Sequence, residues 1–184
     1  MRSISRYVSL FLIGTFLFCA TSINPQSQVS SPTVVVEATD TIHGIGGYQN
    51  TRLLVRLWDD GKLEWDNWVG NAWKSQIGSV TIERVSAIKR SLDAIDGSRM
   101  RGKMGPYHIY TDTSVELRVR LTTSQGVLAF TLINPWSCEL PSCSTRMPLS
   151  KDLKTVVCEI DRLRAQVVPD QRIDPMCKNT QASQ

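Results

Sequence analysis

Residues 51–66 read TRLLVRLWDDGKLEWD. Leu53, Val55 and Leu57 alternate with Arg52, Leu54 and Arg56, Asp59-Asp60-Gly61 supplies turn chemistry, and Leu63 and Trp65 then alternate with Glu64 and Asp66. A period of two sends successive side chains to opposite faces, so the stretch reads as a β-hairpin with one covered face and one mostly polar face.

The covering layer follows in sequence. Beyond a polar stretch, Ile82, Val85, Ile88, Leu92 and Ile95 recur three or four residues apart with Lys89, Arg90 and Asp93 between them, the spacing of an amphipathic helix. Ser79 or Thr81 can cap its start and Gly97 can end it. A second hairpin is spelled by Val115, Leu117, Val119 and Leu121 against Glu116, Arg118 and Arg120, then a Ser124-Gln125-Gly126 turn, then Leu128, Phe130 and Leu132. Ser150 caps a second helix with apolar positions Leu153, Val156, Val157, Ile160, Leu163 and Val167, closed by Pro169. The expected fold is α+β in two layers. An antiparallel sheet of about four strands has two helices on one face, in the order strand-strand-helix-strand-strand-helix. Val55-Arg56-Leu57 and Gly61-Lys62-Leu63-Glu64-Trp65 can be laid against Val119-Arg120-Leu121 and Gly126-Val127-Leu128-Ala129-Phe130 as if a unit were repeated.

The chain's start points to export. Arg2 and Arg6 precede an apolar run from Tyr7 to Ala20 and a small-x-small Ala20-Thr21-Ser22, the three parts of a cleavable signal peptide over residues 1–22. The run falls short of the roughly 20 residues a spanning helix needs. Lipid anchoring at Cys19 is disfavoured by Phe18 directly before it, where that chemistry takes a small residue. Residues 23–50 are rich in Gln, Ser, Pro, Thr and Gly and read as a flexible linker, in which Thr33 to Thr39 (TVVVEAT) can add an edge strand. The α+β domain then occupies 51–168, with a C-terminal tail at 169–184. Loss of the signal leaves 19 basic against 17 acidic residues, a net charge of +2 in place of +4. So balanced a charge does not suit a nucleic-acid or membrane-surface partner.

Cleavage after Ser22 leaves Cys138, Cys143, Cys158 and Cys177, an even number that suits disulfides in a secreted or periplasmic protein. Three pairings exist. Cys138 with Cys143 and Cys158 with Cys177 are favoured because each closes a short loop, with the second tying down the tail. A four-thiolate zinc site is disfavoured, since no Cys-x-x-Cys pair occurs.

The order strand, Asp-Gly turn, Trp-containing strand, polar stretch with Gly78, helix entered through Thr81-Ile82-Glu83, strand pair and Glu159-Ile160-Asp161-Arg162-Leu163 helix resembles an uncharacterised family of small bacterial secreted and lipoprotein domains. The likeness covers most of 51–168 on scattered positions. The cysteine-rich start common in that family is missing here before the first strand. The resemblance implies no activity, cofactor or site.

Candidate chemistry is sparse. Gly97-Ser98-Arg99-Met100-Arg101-Gly102-Lys103 has the spacing of a phosphate-binding loop, but Met104 stands where a hydroxyl must hold magnesium, and the loop follows a helix. It reads as a basic loop. His108, Tyr110 and Asp112 share one face if 107–113 is extended, and His108 with Asp112 is the minimal pair for a hydrolase-type enzyme. Solvated polar alternation explains them more simply, and His43 stands among glycines in the linker. No nucleophile motif or cofactor signature accompanies them, so a non-enzymatic domain without a cofactor is the main expectation. The outer sheet face is richer. Arg52, Arg56, Trp58, Trp68, Arg118 and Arg120 are expected there as the surface of a binding or inhibitor-like domain that engages a protein or an anionic glycan of the cell envelope, tryptophan and arginine being enriched at interaction hot spots. Cross-strand ion pairing on a wet face is the plainer reading of the same residues. A structural envelope domain with no discrete ligand is the third alternative.

Overall fold

In the computed structural model the described residues are 31–100, 102–104, 114–135, 149–169 and 171–178. The 51–66 stretch forms the expected hairpin, strands β2 (Gln49–Trp58) and β3 (Lys62–Val69). Gly61 at its turn has φ +87°, and a Cβ there would come within 2.5 Å of the Val80 carbonyl oxygen, so both backbone angle and space require glycine. The second hairpin, β6 (Ser114–Thr123) and β7 (Gly126–Ile133), also forms where alternation places it.

The sheet is larger than expected, and its centre lies elsewhere. Strand β1 (Val34–His43), foreseen as no more than an edge addition in a linker, pairs antiparallel with β2 on one side and β6 on the other. Strand β4 (Ala72–Ser79) follows β3 through Gly70-Asn71, with Gly70 at φ +70° in the first central turn position, which favours glycine in two-residue hairpins. A short strand β5 (Gly102–Met104) lies parallel to β7. The order is β4-β3-β2-β1-β6-β7-β5, so four strands are corrected to six antiparallel ones and a parallel edge. The apparent repeat also takes its place. Val55 and Val119 both oppose Ala38, and Leu57 and Leu121 both oppose Val36. Strands β2 and β6 thus run the same way on either side of β1, yet their partners β3 and β7 lie on opposite flanks. No rotation that keeps strand direction and face exchanges left for right, so the hairpins are not superposable copies.

Helices α1 (Ile82–Asp93) and α2 (Lys151–Val167) cover one face, capped by the hydroxyls of Thr81 and Ser150. Their buried residues Val85, Ile88, Leu92, Leu153, Val156, Val157, Ile160 and Leu163 close over Val36, Ala38, Val55, Leu57, Leu63, Leu117, Val119, Leu121, Phe130 and Leu132. Ile82, expected in this core, is exposed at the first turn of α1, and the helix stops short of Gly97. The tail returns as α3 (Pro175–Lys178), held to α2 by the Cys158–Cys177 disulfide, by Arg162 donating to the Cys177 carbonyl at 3.1 Å, and by the Asp174 N–H donating to Asp161 at 2.7 Å. Burial, with the Asp174 charge adding to it, pushes the Asp161 carboxyl above the usual aspartate range against that hydrogen bond. Cys138 and Cys143 lie outside the described residues, as do the signal segment and His108, Tyr110 and Asp112.

Candidate functional site

One backbone irregularity decides which arginines face solvent. The β1–β6 ladder runs unbroken from Val36 opposite Leu121 to His43 opposite Ser114. Glu37, Thr39 and Thr41 therefore share a face with Arg120, Arg118 and Glu116, while Val36, Ala38 and Asp40 share the other with Leu121, Val119 and Leu117. The β1–β2 ladder slips: Ala38 opposes Val55 but Thr39 opposes Leu53, leaving Leu54 as the extra residue of a β-bulge.

The bulge reverses the phase of everything before it. Leu53, expected in the core, stands opposite Thr39 on the open side, and Leu54, expected outside, is buried. Arg52 stands opposite Asp40 on the helix-bearing side, which corrects its place in the outer-face set. Its guanidinium donates to both Asp40 oxygens at 2.8 Å, and Asp40 is 1% exposed. Arg164 of α2 reaches the bulge and donates to the Leu54 carbonyl at 3.2 Å, giving a partner to a group outside the regular ladder. Burial, then the nearby Arg52 charge, brings the Arg164 pKa down to about 10. This side's arginines are structural.

The open face keeps Arg56, Trp58, Arg118 and Arg120. Arg56 donates to Glu37 at 2.6 Å and to Glu64 at 3.2 Å. Against the desolvation of partial burial, the hydrogen bond and charge of Glu37, then Glu64, hold its pKa above the ordinary value. Trp58 lies beside two cations, with Lys62 Nζ 4.5 Å and Arg56 Cζ 5.8 Å from its ring centre.

Arg118 and Arg120 are differently placed. The Arg118 side chain is 62% exposed and lies 3.6 Å from Glu116, itself 3.8 Å from His43. Arg120 is exposed and makes no ion pair among the described residues, because Glu37 opposite it is engaged by Arg56. Between the two arginines lies a shallow depression of about 490 Å³, lined by Glu37, Thr39, Ala129 and Thr131. No described helix covers it.

Trp68 lies away from this group, in contact with Trp73 where the β3–β4 ribbon closes. The sequence reading missed Glu37, Thr39, Lys62 and Trp73. Thr39 and Thr41 alternating with Ala38 and Asp40 was the available signal for the first two. The basic loop is also otherwise occupied: Gly97–Arg99 is a single 3-10 turn capped by Asp96, and Met100 is buried in the core. Among the described residues no group of three or more His, Cys, Asp or Glu is placed to hold a metal ion, and no helix is long and apolar enough to cross a membrane. The Cys158–Cys177 disulfide fits an extracellular or periplasmic setting. The chain matches no family model and no curated protein sequence.

Proposed function

We propose that this protein is an exported, non-enzymatic binding domain that takes an anionic partner on its open sheet face. The observation that carries the reading is the pair Arg118 and Arg120, exposed beside a depression lined by Thr39, Ala129 and Thr131 on the face opposite the helices. Small side chains let a partner approach the backbone, and the two arginines spring from Cα positions about 7 Å apart along the strand by its rise per residue. Each can form a forked pair with a carboxylate or sulfate. Trp58, with Lys62 beside it, extends the surface across β1 and supplies the apolar contact that confers affinity beyond charge. The partner class is an acidic protein segment or an anionic glycan of the envelope, reached by signal-directed export.

Calorimetric titration with a sulfated polysaccharide and with polyglutamate tests this. The wild-type protein should bind at least one of them at low salt and lose affinity as salt rises. Arg118→Ala/Arg120→Ala should weaken binding about tenfold or more, as hot-spot truncations do. Equal affinity in the double variant, or no binding to either polymer, contradicts the proposal.

A further inference from the structure

The β3–β4 ribbon holds a second feature with different chemistry. Strands β2 and β3 are in register at Arg56 with Glu64 and Leu57 with Leu63, and further along the Asp66 carboxylate accepts the Leu53 N–H at 2.7 Å. At the ribbon's far end Trp68 opposes Trp73 across the hairpin, and the two indoles meet edge to face, 5.1 Å between centres and 72° between planes. The Arg52 guanidinium lies 4.8 Å from the centre of Trp73, and the forked bond to buried Asp40 fixes that guanidinium. Trp73 is thereby clamped, and Trp68, 51% exposed, is seated against it. Whichever ring contributes the edge, at least one face of Trp68 is clear of Trp73.

We propose that Trp68 is the stacking platform of a carbohydrate site that receives one pyranose unit of an uncharged glycan. An indole face is electron-rich, and a pyranose presents a face of C–H bonds carrying partial positive charge, so the two stack. A ring already fixed loses little side-chain freedom on binding. The Asn67 side chain accepts the Trp68 backbone N–H at 3.0 Å, which ties the strand at the base of the platform. Local charge selects between a glycan and a bilayer. Arg52 is committed to Asp40, and Lys74 is the exposed cation of the 67–74 stretch, whereas an anionic membrane surface is recognised by clusters of several basic residues. This site shares the exported setting of the open-face reading but none of its residues.

Calorimetric titration of the full chain with a β-1,4-linked glucose hexasaccharide and an N-acetylglucosamine hexasaccharide, alongside its tryptophan fluorescence, gives the test. At least one should produce a saturable change, Trp68→Ala should raise its Kd about tenfold or more with an unchanged melting temperature, and Trp68→Phe should retain most of the affinity. Arg118→Ala/Arg120→Ala should leave this Kd within about twofold, so the two sites can fail separately. No saturable change with either sugar, an unaltered Kd in Trp68→Ala, or a fluorescence shift caused by phosphatidylglycerol vesicles and not by sugar would overturn the proposal.

Discussion

The two faces of the central sheet carry the same cation to opposite ends. On the helix-bearing side Arg52 is bonded to a buried aspartate and Arg164 to the bulge carbonyl, while Arg84 and Arg162 of the two helices both grip Glu159 at 2.8 and 2.9 Å. On the open side Arg118 and Arg120 reach into solvent beside small residues. Residue type alone does not separate a structural arginine from one free to meet a partner. Burial and the presence of a committed carboxylate do.

Substitutions can break this contrast at either end. The largest loss is expected from Asp40→Ala, which leaves the Arg52 charge without its forked partner and close to Arg164. Removing one member of a buried pair costs about 3–5 kcal/mol, readable as a lowered urea midpoint. Next comes the pair Cys158→Ala/Cys177→Ala, which frees the tail. The bridge spans 19 positions, and a loop of that order contributes about 3 kcal/mol in the loop-closure account. Ser150→Ala removes the hydroxyl that accepts the Leu153 N–H and should cost about 1 kcal/mol. Smallest is Arg118→Ala/Arg120→Ala, expected within about 0.5 kcal/mol of wild type because no buried partner is left behind. A large loss there would erase the distinction between the faces.

A pH series sharpens the buried side. The Asp161 carboxyl has its folded pKa raised above the unfolded value, so the folded state holds that proton more tightly. Its unfavourable contribution is fully present above the raised pKa and is relieved as pH falls through it toward the unfolded value. Asp161→Asn can still accept the Asp174 N–H, so the variant should lose this part of the stability profile while keeping the tail docked. Thermal melts across the acid range of both proteins would check it.

How much of this was legible beforehand depends on where alternation has a physical cause. In β3, β6 and β7 one face meets the helices and the other does not, so Leu63, Leu117, Val119, Leu121, Phe130 and Leu132 could be read as core. The same logic failed in β2, because a bulge at Leu54 inserts a residue and no local property of Leu53-Leu54-Val55 announces it. That miss exchanged Leu53 with Leu54 and put Arg52 on the wrong side. Strand β4 was invisible for another reason: as an edge strand exposed over much of its length, its Ala72–Ser79 sequence carries no apolar alternation. Strand β1 was undervalued because Thr41 and Asp40 look like linker residues until neighbours on both sides bury them. Of the six residues expected to form a binding surface, Arg56, Trp58, Arg118 and Arg120 share the open face, Trp68 sits apart with Trp73, and Arg52 turns inward beneath it.

The most direct test of the open-face account is an NMR titration that follows backbone amides and arginine Nε–H signals as a sulfated polysaccharide is added. Shifts should cluster at 37–41, 116–120 and 129–131, with the Nε–H signals of Arg118 and Arg120 moving most and those of Arg52, Arg84 and Arg164 staying still. Shifts centred on α1 and α2, or movement of those three arginines with Arg118 and Arg120 unchanged, would contradict it.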